Sequence, residues 1–207
     1  LPEIDNDDYR RGKKAGHVEY GSDIELLAGD ALLGYAFNAL AKADIDYRLK
    51  FKMIQELAEE SGNKGLIGGQ MVDIESEGKN ITKKTLHYIH QNKTARMINL
   101  PIRFGCYLAK ASEEETARLE KFGEKIGLAF QIVDDILDVE GNKTTVGKSI
   151  GKDEKSKKAT FPSIYGLEKS KIMAEKLITE AKTLLKPFGE DAKMMKMLCD
   201  FILTRKF

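Results

Sequence analysis

Three aspartates in one apolar stretch, Phe130-Gln131-Ile132-Val133-Asp134-Asp135-Ile136-Leu137-Asp138, are the residues of this chain best suited to chemistry. Read as a helix, the spacing puts Asp134 and Asp138 one turn apart on one face, with Asp135 beside them. Like charges at that spacing repel by about a few tenths of a kcal/mol even in water, and the cost rises as water is withdrawn. A cation should sit over that face. Carboxylate oxygens are hard ligands that suit Mg²⁺, which takes one or two carboxylates, keeps several waters and fills its shell with phosphate oxygens. A diphosphate substrate is the natural expectation. Taken alone, the same residues equally fit a solvated acidic helix end, or carboxylates paired with lysines across a turn.

The next stretch tips that balance. From Asn142 to Pro162 the chain is a glycine-punctuated loop with six lysines. Ammonium groups above an acidic metal face give the polarity expected around a polyphosphate. Near the start, acids up to Asp8 are followed by Arg10-Arg11-Gly12-Lys13-Lys14, again setting possible metal ligands beside phosphate donors.

Composition limits the alternatives. The 207 residues suit one domain with a sizeable core. With 34 basic against 33 acidic residues there is no net field to draw in nucleic acid. Two cysteines, Cys106 and Cys199, are too few for a disulfide framework and sit in apolar surroundings, which suggests buried thiols in a reducing, cytoplasmic compartment. His17, His87 and His90 lack zinc spacing, and His87 with His90 reads as a pair on a helix surface. Asp30 interrupts the most hydrophobic region, which argues against stable membrane insertion.

The elements that must hold these residues are helical. Ser22-Asp23-Ile24-Glu25 reads as a capping box opening a dense apolar helix that should be central. A second helix is expected over Asp44 to Glu60, closed by Ser61-Gly62. The glycines of Gly65-Leu66-Ile67-Gly68-Gly69-Gln70 suggest a kink or a close helix approach before Met71 to Ile74. Thr82 to Ala109 reads as a long helix that Pro101 and Gly105 should bend or divide, with an earlier irregularity at Lys93-Thr94 left open. Ser112 to Glu115 is another capping box, opening the helix that bears the aspartates. Gly123 and Gly127 within it each cost about 1 kcal/mol relative to alanine, so a neighbouring helix should pack closely there. Helices over Phe161 to Lys186 and Asp191 to Arg205 complete an all-α bundle around a cavity with polar groups at one end.

Seven ordered segments resemble the trans-isoprenyl diphosphate synthases, the farnesyl and geranylgeranyl diphosphate synthase family. They are Asp7 to Lys13, Leu27 to Leu33, Gly68 to Asp73, Lys93-Thr94, Gly127 to Asp138, Gly147-Lys148 and Lys157 to Pro162. The resemblance implies an isoprenoid synthase-type helical bundle, usually a homodimer, that condenses an allylic diphosphate with isopentenyl diphosphate using Mg²⁺. It implies metal roles for Asp5, Asp134, Asp135 and Asp138. Arg10, Arg11, Lys93, Lys148 and Lys158 would bind diphosphate. Lys93, Thr94 and Gln131 would present oxygen dipoles to the allylic cation.

The family's first motif reads Asp-Asp-Leu-Pro-x-x-Asp, and Leu1-Pro2-Glu3-Ile4-Asp5 matches only its later part. The single domain over 1–207 is therefore expected to lack the family's N-terminal helices and, by itself, to show little or no activity. The insertion form of that motif is similar to bacterial farnesyl-type synthases and favours farnesyl diphosphate as product, with geranyl or geranylgeranyl diphosphate behind. Lys14-Ala15 stands where the family usually has Pro-Thr. A terpene cyclase would need Ser or Thr at Asp138 and Glu at Asn142. A non-catalytic subunit of a heteromeric synthase is the remaining alternative.

Overall fold

The structure, a computed structural model, describes residues 1–4, 6–10, 12–140 and 158–205. The aspartate helix is its axis. It is α7 (Glu113–Glu140) in a series that also contains α1 (Gly16–Tyr20), α2 (Ser22–Lys42), α3 (Tyr47–Ser61), α4 (Leu66–Ser76), α5 (Lys83–His90) and α6 (Arg96–Leu108). Beyond the lysine-rich stretch come α8 (Phe161–Tyr165), α9 (Leu167–Leu184) and α10 (Lys193–Thr204). The only strands among the described residues are Tyr9–Arg10 and Lys13–Lys14, a short hairpin turning at Gly12, whose φ of +74° glycine adopts without strain.

The expected capping box of α7 forms. Ser112 Oγ accepts from the Glu115 N–H at 3.2 Å, and Glu115 Oε2 accepts from the Ser112 N–H at 2.8 Å. From there α7 runs unbroken past the aspartates. Phe122, Ile126, Ala129, Ile132, Val133 and Ile136 enter the core against Ala174, Ile178 and Ala181 of α9. Fully burying one such large side chain is worth about 1.5–3 kcal/mol. Cys106 and Cys199 are buried free thiols.

Four details differ from the expectation. The Ser22 box does not form, because α2 follows α1 directly through Gly21 and the Glu25 carboxylate is taken by His17 Nδ1 at 3.1 Å. Pro101 does not divide its helix. The irregularity lies upstream, in a single π turn over Gln91–Ala95 that joins α5 to α6. The helix expected over Phe161 to Lys186 is split at Gly166, whose φ is +86°. Finally, α2 is not central: none of its residues is buried, and Leu26, Leu27, Leu32, Leu33 and Tyr35 are exposed. It is long and apolar enough to cross a membrane by length and composition alone, although Asp30 sits in its middle. A helix apolar on so much of its surface is one that normally packs on every side.

An ionic lock joins α3 to α6. Glu60, 7% exposed, accepts from Arg96 Nη1 at 2.9 Å and Arg103 Nη2 at 2.7 Å, while Tyr107 donates to Glu56 at 2.8 Å. Burial works against ionisation of Glu60, but the two guanidinium groups outweigh it and hold its carboxyl below the ordinary 4.5. A depressed carboxyl contributes stability that is complete above its unfolded value and is lost as pH falls through the folded one. Glu60→Gln is expected to cost on the order of 1–3 kcal/mol at neutral pH and progressively less as pH falls below about 4. Urea unfolding of both proteins at neutral and acid pH measures the difference; a cost independent of pH would show that the charge is not its source.

Candidate active site

The site is built at the π turn, where α4 and α7 pack against the junction of α5 and α6. Arg96 N–H reaches the Gln91 carbonyl, the i to i+5 bond that defines the turn. Two glycines clamp it. A Cβ on Gly69 of α4 would stand 2.3 Å from Lys93 N, and one on Gly127 of α7 would stand 2.6 Å from Ala95 Cα. Neither contact leaves room for any side chain, so the close approaches expected of these glycines are met.

Inside this clamp Lys93 and Thr94 point to different partners. Lys93 Nζ donates to Asp73 Oδ2 of α4 at 2.7 Å, with the lysine side chain 27% exposed. Thr94 Oγ1 donates to Gln131 Oε1 at 2.9 Å, and Gln131 Nε2 donates to Asp135 Oδ1 at 3.1 Å. Thr94, Gln131 and Asp135 thus form one hydrogen-bonded line from the π turn to the aspartate helix.

The three aspartates are not equivalent. Asp135 is 4% exposed and both its oxygens are engaged, Oδ1 by Gln131 and Oδ2 by the Phe161 N–H at 2.9 Å. Asp138 is also buried. Asp134 is the open one, its side chain 26% exposed, and Arg205 Nη2 sits 2.8 Å from its Oδ1. The same Arg205 donates to the Phe130 carbonyl at 2.9 Å and lies 3.9 Å from the centre of the Phe130 ring. A cation therefore already occupies the face that the carboxylate spacing predicted would need one.

Of the other expected residues, Arg10 lies exposed on the hairpin, and Lys158 Nζ is 3.4 Å from Glu77 Oε1 just before α8. Asp5, Arg11 and Lys148 lie outside the described residues. Two cavities of about 200 and 240 Å³ flank the π turn, sharing Gln91, Ala95 and Glu124, and neither is lined by Asp134 or Asp138. Among the described residues no three His, Cys, Asp or Glu side chains are arranged to hold a metal ion. The donor chemistry nevertheless fits Mg²⁺. Asp134 and Asp138 offer hard oxygens one turn apart, the guanidinium at Asp134 marks a position that attracts positive charge, and waters with substrate oxygens normally complete such a shell.

Three residues of this constellation were not foreseen. Asp73 closes the Gly68 to Asp73 segment, and its only local signal is that of a lone acid in the apolar run after Gly69. Arg205 follows an apolar helix with nothing local to link it to Asp134. His90, expected on a helix surface with His87, is instead buried at 6% exposure, stacked on Phe161 with centroids 5.2 Å apart. The stack exists because α8 folds back over α5, a contact that i, i+3 spacing in α5 does not reveal.

An all-α bundle with a carboxylate-bearing helix facing a lysine–threonine π turn is the architecture of an isoprenoid-type synthase. Residues 4–199 match the family model of the polyprenyl synthetases, and the chain belongs to that family. It is 45% identical to a dimethylallyltranstransferase of Fischerella ambigua across 99% of this chain and 60% of that protein. It is 41% identical to the farnesyl diphosphate synthase of Escherichia coli across 99% of this chain and 71% of that one. A geranyltransferase of Helicobacter pylori, solved with magnesium and isoprenyl diphosphate, superposes with a TM-score of 0.85 at 31% identity, over 98% of this chain and 67% of that one. The chain thus spans between 60% and 71% of the length of these relatives.

Proposed function

We propose that the protein to which this chain belongs is a short-chain isoprenyl diphosphate synthase, condensing an allylic diphosphate with isopentenyl diphosphate and giving farnesyl diphosphate. The observation that carries the reading is the Thr94–Gln131 hydrogen bond of 2.9 Å, which sets two oxygen dipoles beside the helix of Asp134 and Asp138. Family membership supports the reaction class, and the Escherichia coli relative supports the product.

Asp134 and Asp138 would hold Mg²⁺, with Asp5 contributing to the same cage, while Asp135, its two oxygens taken by Gln131 and the Phe161 N–H, stands behind the metal face rather than in it. Bound Mg²⁺ supplies positive charge that stabilises a diphosphate leaving group. Lys93 and Lys158, with Lys148, bring ammonium charge to the same oxygens, and Arg10 and Arg11 add planar forks suited to phosphate. Loss of diphosphate leaves a carbocation on the allylic carbon. The Lys93 carbonyl, the Thr94 hydroxyl and the Gln131 amide oxygen are preorganised dipoles that favour positive charge there. The double bond of isopentenyl diphosphate attacks that carbon, and a proton is lost from the adduct. Water must be excluded meanwhile, or the cation is quenched to an alcohol.

The exposed apolar residues of α2 and α3, including Leu27, Leu32, Tyr47 and Phe51, support a homodimer. The buried free thiols support a reducing, cytoplasmic setting. The test is incorporation of labelled isopentenyl diphosphate by the full-length protein with dimethylallyl, geranyl and farnesyl diphosphates in turn. A fifteen-carbon product from the first two partners bears the proposal out. A folded protein that extends none of them overturns it and leaves a partner-subunit role.

A further inference from the structure

Asp135 is an unusual carboxylate for a metal site, because it is nearly sealed from solvent and its contacts point into the protein. Gln131 Nε2 lies 3.1 Å from Oδ1, and the Phe161 N–H lies 2.9 Å from Oδ2. His90 Nε2 lies 3.2 Å from the same Oδ2 without the alignment of a hydrogen bond, and this buried nitrogen has no hydrogen-bond partner among the described residues. The His90 ring is held in place by Phe161, whose ring is stacked on it at an interplanar angle of 17°.

We propose, building on the synthase reading above, that His90 is a positioning residue of the prenyl-transfer site, acting through Asp135 to orient the Gln131–Thr94 pair and to anchor the segment that carries Lys158. A carboxylate buried this far needs donors on both oxygens, since desolvation is otherwise costly. Gln131 alone cannot satisfy it. The Phe161 N–H donates to the second oxygen, and the His90 ring packs against that oxygen at 3.2 Å and holds the carboxylate in place, which leaves Oδ1 to fix the Gln131 amide. With its NH₂ committed to Asp135, Gln131 must present Oε1 toward Thr94, so the amide cannot flip.

The second half of the device concerns the return of the chain. Phe161 N–H is a first-turn donor of α8 without an intrahelical acceptor, and Asp135 supplies one. Thr160 and Ser163 form a capping box around the same turn, fixing Lys158-Ala159-Thr160 as it arrives. His90 therefore stands between two parts of the site that sequence keeps far apart, the dipole pair on the π turn and the lysine before α8. In this reading Asp135 is a hub for positioning, and Asp134 with Asp138 carries the metal.

His90→Phe keeps a ring against Phe161 and removes the nitrogen, while His90→Gln restores an N–H of similar reach. In the full-length protein we expect His90→Phe to lower kcat about tenfold with an unchanged KM for isopentenyl diphosphate, and to speed amide exchange at Phe161 about tenfold. His90→Gln should recover most of both. In a Gln131→Ala background His90→Phe should cost clearly less than its tenfold in kcat, because one of the two groups it positions is gone and only the anchoring of the Lys158 segment remains to be lost. Fully additive losses would overturn the proposal, as would a lower Tm with kcat unchanged. Exchange at Phe161 reads the His90–Asp135 contact whether or not diphosphates are condensed. A wild-type protein that incorporates nothing therefore overturns the function, and unchanged Phe161 exchange in His90→Phe overturns this inference.

Discussion

Asp134→Ala is expected to lower kcat for isopentenyl diphosphate incorporation roughly a thousandfold, about 4 kcal/mol of transition-state stabilisation. Asp134 is the one member of the acidic trio whose side chain is partly exposed, and it already holds a cation at 2.8 Å. Its removal takes a hard oxygen from where charge on a departing diphosphate must be neutralised, and the buried Asp135 cannot turn outward to replace it. The fold should survive. Arg205, its side chain 6% exposed, keeps the Phe130 carbonyl and the Phe130 ring as partners but loses its carboxylate, so a stability loss of about 3 kcal/mol is expected beside the larger loss of activity. Steady-state kinetics beside a thermal melt separates the two effects, and an equal loss of activity and folded fraction would show that Asp134 is structural.

The second large effect is expected from a residue that does no chemistry. Gly69→Ala adds a single methyl group, but its position is 2.3 Å from the backbone nitrogen of Lys93. That contact cannot be relieved by rotating a side chain, so α4 must move off the π turn or the turn must move. Displacement of about 1 Å at a catalytic group costs on the order of a hundredfold, and overpacking a tight interface costs about 1–3 kcal/mol. Both losses are expected together, with the salt bridge between Lys93 and Asp73 strained by the same movement. Gly105→Ala is the matched control. Its Cβ would meet nothing within 4 Å, and replacing a glycine inside α6 should stabilise by up to about 1 kcal/mol. Comparable damage from both substitutions would mean that the clamp at Gly69 is not what matters.

The difference between these two glycines marks what could be read from the chain. Local signals were legible. The Ser112–Glu115 box, the apolar stripe of α7 and the carboxylate spacing each depend on neighbours within one or two turns, and each is found as read. The close packing at Gly123 and Gly127 was legible too, since glycine inside a helix is costly unless something approaches it. The π turn is not legible, because an extra residue in a helical turn has no local composition signal. The Glu25 side chain belonged to a correct capping pattern, yet a partner eight residues earlier took it. His90 and Arg205 depend on contacts to residues 45 and 71 positions away in sequence, Asp135 and Asp134, which no helical periodicity contains. The exposure of α2 has a related reason: its apolar pattern signals a helix that packs, and carries no signal of what it packs against.

In the proposed synthase the Asp134–Asp138 face of α7 would use a divalent cation to drive condensation of two diphosphates. Incorporation of labelled isopentenyl diphosphate into geranyl diphosphate by the full-length protein, with Mg²⁺ and then with excess EDTA, tests it most directly. Chain growth with Mg²⁺ that falls to background in EDTA and returns when Mg²⁺ is restored is the predicted result. Growth that continues unchanged in EDTA would contradict the account.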